Sequence, residues 1–130
     1  SIEKGKAEIL KEGEDVSIIA IGKMVAKAQN IAEILESKGI DAEVINARFI
    51  KPLDKETIIK SIEKTENVIT IEDGTKINGL GTAIEELIAE NNLQNIKFEK
   101  QAWPDEFLKQ GTTWDVSDGT KMSQKKQGFK

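Results

Sequence analysis

Residues Val16 to Ile21 read VSIIAI, a nearly unbroken run of apolar, mostly β-branched side chains. Such a run has no polar face to turn toward water. As a strand it must therefore be covered on both sides, which is the condition of a central strand in a parallel sheet. Helices are then required on both faces, and the rest of the chain provides segments with helical spacing.

Val25, Ala28, Ile31, Ala32 and Leu35 fall on one face at a period of 3.6, with Gly39 placed as a left-handed C-terminal cap. Ala42 to Ile45 reads as the next strand. Asp54, shortly after Pro52, is a good N-cap for a second helix with the buried stripe Ile58, Ile59 and Ile62. Pro52 keeps Lys51 out of the helical region, so Arg48 to Leu53 reads as a shaped connection. Val68 to Ile71 is a third apolar strand, ending at Glu72-Asp73-Gly74. A third helix is expected from about Thr82 to Asn91, with Ile84, Leu87 and Ile88 inward. Ile96 to Phe98 reads as a last strand at an edge, because Lys97 and Lys100 alternate with apolar residues. Ahead of the central run, Ala7 to Leu10 and the turn at Gly13 read as a short strand that makes an antiparallel edge. A short helical turn is expected around Phe107 and Leu108, ending at Gly111.

Right-handed crossovers then give a three-layer α/β/α fold with a mainly parallel five-stranded sheet and one antiparallel edge strand. One domain is expected over residues 1–111. Residues 112–130 are expected to be an irregular tail in which Lys121, Lys125, Lys126 and Lys130 read as a solvated terminus. With no cysteine and no histidine, disulfides, thiolate chemistry and the commonest general base are all excluded. A net charge of −4, from 19 basic and 23 acidic residues well mixed along the chain, argues against nucleic acid as a partner. No apolar leader and no membrane-length apolar run is present, so a cytoplasmic protein with no membrane partner is expected.

In folds of this class ligands bind beyond the carboxyl ends of the strands, which puts Gly22-Lys23, Asn46 to Lys51 and Glu72 to Gly81 on one rim. Within it, Gly79-Leu80-Gly81-Thr82 is a candidate anion loop, since N–H groups at a helix start attract negative charge. The alternative is that Gly79 and Gly81 only permit a tight loop and close packing. A dinucleotide fingerprint would need a glycine where Ala83 stands. Glu72 and Asp73 are candidates for acid/base or metal chemistry, or for a capping pair without either role. Arg48 is the only arginine among the 19 basic residues. Its rigid fork suits a phosphate or carboxylate clamp, or else an internal ion pair with Glu72 or Asp73. Trp103 and Phe107 read as core or interface residues.

Gly5-Lys6-Ala7, Val16 to Gly22, Val44 through Arg48-Phe49-Ile50-Lys51-Pro52-Leu53-Asp54, Ile69 to Asp73 with Gly79-Leu80-Gly81-Thr82, and Trp103-Pro104-Asp105-Glu106-Phe107 occur in one order. That series resembles the C-terminal domain of the transketolase superfamily, and most of all that of the 1-deoxy-D-xylulose-5-phosphate synthases. The beta subunits of 2-oxo-acid dehydrogenases share Lys-Pro-Leu-Asp. The resemblance implies a part of a transferase that condenses pyruvate with glyceraldehyde 3-phosphate for isoprenoid synthesis. It implies thiamine diphosphate and Mg²⁺ held by preceding domains, none bound by this one, no catalytic residue here, and a homodimer in the full protein. It also implies that Arg48 reaches the aldehyde substrate's phosphate. A transketolase domain, a separately encoded subunit of a split enzyme, and a stand-alone anion-binding module remain open.

Overall fold

The computed structural model describes residues 5–75 and 79–103. The elements are β1 (Glu8–Lys11), β2 (Val16–Ala20), α1 (Met24–Ser37), β3 (Ala42–Asn46), α2 (Lys55–Thr65), β4 (Asn67–Asp73), α3 (Leu80–Glu90) and β5 (Lys97–Trp103). They form one five-stranded sheet in the order β1-β3-β2-β4-β5. Val16–Ala20 of the apolar run thus becomes the middle strand, buried at every position, and Ile21 follows it partly buried. β2, β3, β4 and β5 are parallel, and β1 is antiparallel to β3 at the edge.

The sheet divides two apolar clusters. Ala28, Ile31, Ala32 and Leu35 of α1 meet Val16, Ile18, Val44, Ile69 and Ile71 on one face. Ile58 and Ile62 of α2, with Ile84 and Leu87 of α3, meet Ile19, Ile45 and Val68 on the other. Alternation along each strand sends neighbouring residues to opposite layers, so β2 fills both cores at once. Full burial of one such isoleucine stabilises by about 1.5–3 kcal/mol.

The helix ends follow local chemistry. Gly39 adopts φ +84°, its N–H donating to Glu36 and that of Ile40 to Leu35, which closes α1. Asp54 caps α2 by accepting the Thr57 N–H at 3.2 Å. It also accepts the Ala7 N–H at 2.9 Å, tying the segment before β1 to α2. Burial raises the Asp54 pKa, but these bonds together outweigh it and leave the carboxyl below its ordinary value.

Several boundaries differ from expectation; β2 ends at Ala20, β3 runs on to Asn46, and β4 spans Asn67–Asp73. The first strand runs one residue later than Ala7 to Leu10, and a bulge between Ile9 and Lys11 interrupts its register. The last strand runs on from Lys97 to Trp103, well past Phe98, because β4 pairs with it along its whole length. The third helix opens at Leu80, ahead of Thr82. The turn expected around Phe107 and Leu108, and the tail over 112–130, lie outside the described residues. Among the described residues no helix is long and apolar enough to cross a membrane.

Several polar groups within the core bond one another, although the buried Thr70 hydroxyl finds no hydrogen-bond partner. Ser17 of β2 lies 2.6 Å from the Ser61 hydroxyl and 2.7 Å from that of Thr65. Glu43, 1% exposed, pairs with Lys64 and accepts the Gly13 N–H at 3.1 Å. Burial raises the Glu43 pKa, yet the bonds from Lys64, Ser61 and Gly13 bring the carboxyl below its ordinary value.

Candidate functional site

The parallel strands run in register, with Ala20 of β2 opposite both Asn46 of β3 and Ile71 of β4. Their carboxyl ends therefore coincide at one rim. β2 hands the chain to α1 on one face, while its neighbour β4 hands it to α3 on the other. Adjacent strands that diverge in this way open a crevice above their ends.

Glu72 and Asp73 stand at the end of β4 and, being consecutive, point to opposite layers. Glu72, 7% exposed, turns to the α3 side. Its Oε1 accepts the N–H groups of Gly79 at 3.1 Å and Leu80 at 3.3 Å, and its Oε2 that of Gly81 at 3.0 Å. A negative charge at a helix start also complements the helix dipole. A Cβ at Gly81 would lie 3.0 Å from Glu72 Oε2, so a larger residue there would press the carboxylate back by a few tenths of an ångström, while the Lys100 side chain at 2.7 Å could swing aside. The N–H groups of the candidate anion loop thus hold a carboxylate of the chain itself. Thr82 lies exposed on the first turn of α3.

Asp73 turns to the α1 side and meets Lys23 across the crevice, Nζ to Oδ2 3.0 Å. Its Oδ1 accepts the Thr75 hydroxyl at 2.7 Å and the Thr75 N–H at 2.9 Å. The Thr75 bonds, then Lys23, hold the Asp73 carboxyl down at about 2. Beside it, Lys27 Nζ sits 4.5 Å from the centre of the Trp103 ring. Trp103 packs against the α1-side core. Glu72 and Asp73 accordingly form no joint acid/base or metal site, and no group of three metal-ligating side chains occurs among the described residues.

Arg48 lies just past the end of β3 with φ +62°, a left-handed backbone that costs a side-chain-bearing residue about 1–2 kcal/mol. The Asn46 side chain holds it there, its Oδ1 accepting the Arg48 N–H at 3.0 Å. Ala47 donates to Ala20 O, which anchors the turn to β2. The guanidinium Nη2 lies 3.0 Å from Glu8 Oε1, with the two side chains 23% and 43% exposed. The ion pair considered with Glu72 or Asp73 does not form, because both acids are engaged elsewhere; β1, lying alongside β3, supplies the acid instead. Two strand spacings, roughly 10 Å, separate the end of β3 from that of β4. Arg48 and the Gly79–Gly81 turn therefore occupy separate corners.

Sequence reasoning missed Glu8 and Asn46. Asn46 carried a local signal, since an Asn two residues before a left-handed position is an Asx turn. Glu8 carried none, because its place beside Arg48 depends on a strand pairing across 38 residues of chain.

A family model described as the transketolase C-terminal domain matches residues 5–118. The 1-deoxy-D-xylulose-5-phosphate synthase of Halothermothrix orenii is 49% identical over 109 residues, covering 84% of this chain and 17% of that protein. That of Desulfotalea psychrophila is 43% identical over 119 residues, covering 89% and 18%. The chain thus spans under a fifth of the length of these relatives. A solved split gene transketolase, an inactive beta4 tetramer, superposes with a TM-score of 0.76 at 35% identity, over 99% of this chain and 43% of that one. A 2-oxoglutarate:ferredoxin oxidoreductase from Magnetococcus marinus, at 17% identity and a TM-score of 0.54 over 75% of this chain and 16% of that one, shares the fold alone.

Proposed function

Because this chain belongs to the family of transketolase C-terminal domains, we propose that it is the C-terminal domain of a thiamine-diphosphate-dependent 1-deoxy-D-xylulose-5-phosphate synthase. The observation that carries the reading is 49% identity to such a synthase across 84% of this chain. In the whole enzyme pyruvate and glyceraldehyde 3-phosphate condense with loss of carbon dioxide. We assign the cofactor and its Mg²⁺ to the preceding domains of a homodimeric enzyme and no catalytic step to this chain. Among the described residues the donor set does not fit a Mg²⁺-bound diphosphate, which needs free oxygen ligands: Glu72 is taken by backbone N–H groups and Asp73 by Thr75 and Lys23, and no cluster of three acidic side chains occurs.

Within this reading Arg48 binds the phosphate of the aldehyde substrate. Its support is chemical: a lone arginine at a strand's carboxyl end, in a strained turn, with a fork suited to phosphate. In the complete synthase Arg48→Lys is expected to raise KM for glyceraldehyde 3-phosphate about tenfold or more, since a charge-assisted bond of roughly 1.5–3 kcal/mol is weakened. KM for pyruvate should stay unchanged. Equal KM values for parent and variant on the phosphorylated substrate would refute the role.

The likeness to a split gene transketolase favours a second reading, in which this chain is a separately encoded subunit. Calorimetric titration with thiamine diphosphate separates the two, since a split subunit gains binding only when its partner chain is added.

A further inference from the structure

We propose that Glu8, on the edge strand β1, is a positioning residue that orients Arg48 for a phosphorylated substrate, an inference that rests on the Arg48 assignment above. Both ends of the arginine are fixed. At the backbone, Asn46 Oδ1 holds the Arg48 N–H at 3.0 Å in a left-handed turn that an unsupported arginine would leave. At the tip, Glu8 Oε1 takes Nη2 at 3.0 Å. Between these points run several rotatable bonds, whose freedom would otherwise be lost when the anion binds.

The register explains why an acid on β1 can do this. Glu8 pairs directly with Asn46, and so sits beside the turn that carries Arg48. Only one guanidinium nitrogen is engaged in an ion pair among the described residues, which leaves the rest of the fork for a bidentate anion. The pair lies at the surface, so it holds geometry without burying the charge. Edge strand β1, which closes the sheet, is thereby also part of the substrate rim.

The test uses the complete synthase and steady-state kinetics on both substrates. Glu8→Ala is expected to raise KM for glyceraldehyde 3-phosphate roughly two- to fivefold, the size of a partly exposed ion pair, with KM for pyruvate and kcat unchanged. Glu8→Gln, which keeps an acceptor oxygen, should remain within about twofold of the parent. In an Arg48→Lys background Glu8→Ala should add nothing, since the pair acts as one unit. A fall in KM for the phosphorylated substrate in Glu8→Ala would make Glu8 a competing counter-ion and overturn the proposal. An unchanged KM in Glu8→Ala, alongside a raised KM in Arg48→Lys, would sink the proposal and spare the Arg48 assignment. No change in either variant would remove both.

Discussion

At the end of β4 the Glu72 carboxylate receives three backbone N–H groups of the α3 start, whereas at the end of β3 Arg48 keeps a single ion pair with the half-exposed Glu8. Both corners lie on the same rim, and each holds a charge that the sheet cannot neutralise by itself. Glu72 is buried and both of its oxygens take N–H groups of the turn. Arg48 is partly exposed, sits on strained backbone and retains donors. The contrast teaches that a glycine-bearing helix start on this rim can close on a carboxylate of its own chain, while the arginine two strands away keeps guanidinium donors that its ion pair does not use.

Substitution at Glu72 should break that contrast most severely. Glu72→Ala leaves the Gly79, Leu80 and Gly81 N–H groups without their carboxylate, two of those bonds being buried. We expect a loss of about 2–4 kcal/mol in urea denaturation, since buried donors left unsatisfied cost about 1–3 kcal/mol each and water relieves part of it. A loss below about 0.5 kcal/mol would mean that the corner does not depend on Glu72.

At the same end of β4 as Glu72, on the opposite face, Asp73 supplies a pH-dependent test. Its carboxyl is lowered from 3.8 to about 2 in the folded chain. A depressed acid contributes stability above its unfolded value, and that contribution is lost as pH falls through the folded value. The stability gap between the parent and Asp73→Asn should therefore be constant above about pH 4 and shrink as pH drops toward 2. Urea midpoints at stepped pH measure it. A gap that widens on acidification would contradict the Thr75 and Lys23 contacts.

The smallest effect is expected at Arg48. Arg48→Lys should change stability by under about 1 kcal/mol, as expected of a partly exposed ion pair. A larger loss in the same denaturation series, with unchanged kinetics, would make Arg48 a structural residue like Glu72 and erase the difference between the corners.

Much of this architecture was legible in the chain. VSIIAI had to lie in the middle of the sheet, Asp54 had to cap α2, and Gly39 had to end α1, because each rests on residues within one turn or one strand. β5 extends past the expected Phe98 because pairing with β4 continues to Trp103 through the polar Glu99, Lys100 and Gln101, where neighbour pairing overrides local pattern at an edge. α3 starts at Leu80, ahead of the expected Thr82: Gly79 and Gly81 look like loop residues, while the carboxylate that satisfies their N–H groups comes from seven to nine residues upstream.

The sequence by itself determined the order of strands and helices, the central place of β2 and the singular chemistry of Arg48, since periodicity, capping and side-chain type are local properties. Tertiary structure alone decided that Glu72 occupies the α3 N–H groups, that Asp73 meets Lys23, and that Glu8 meets Arg48. The reason is geometric. A strand turns successive side chains to opposite faces, and a pairing between distant segments chooses partners that no sequence window contains.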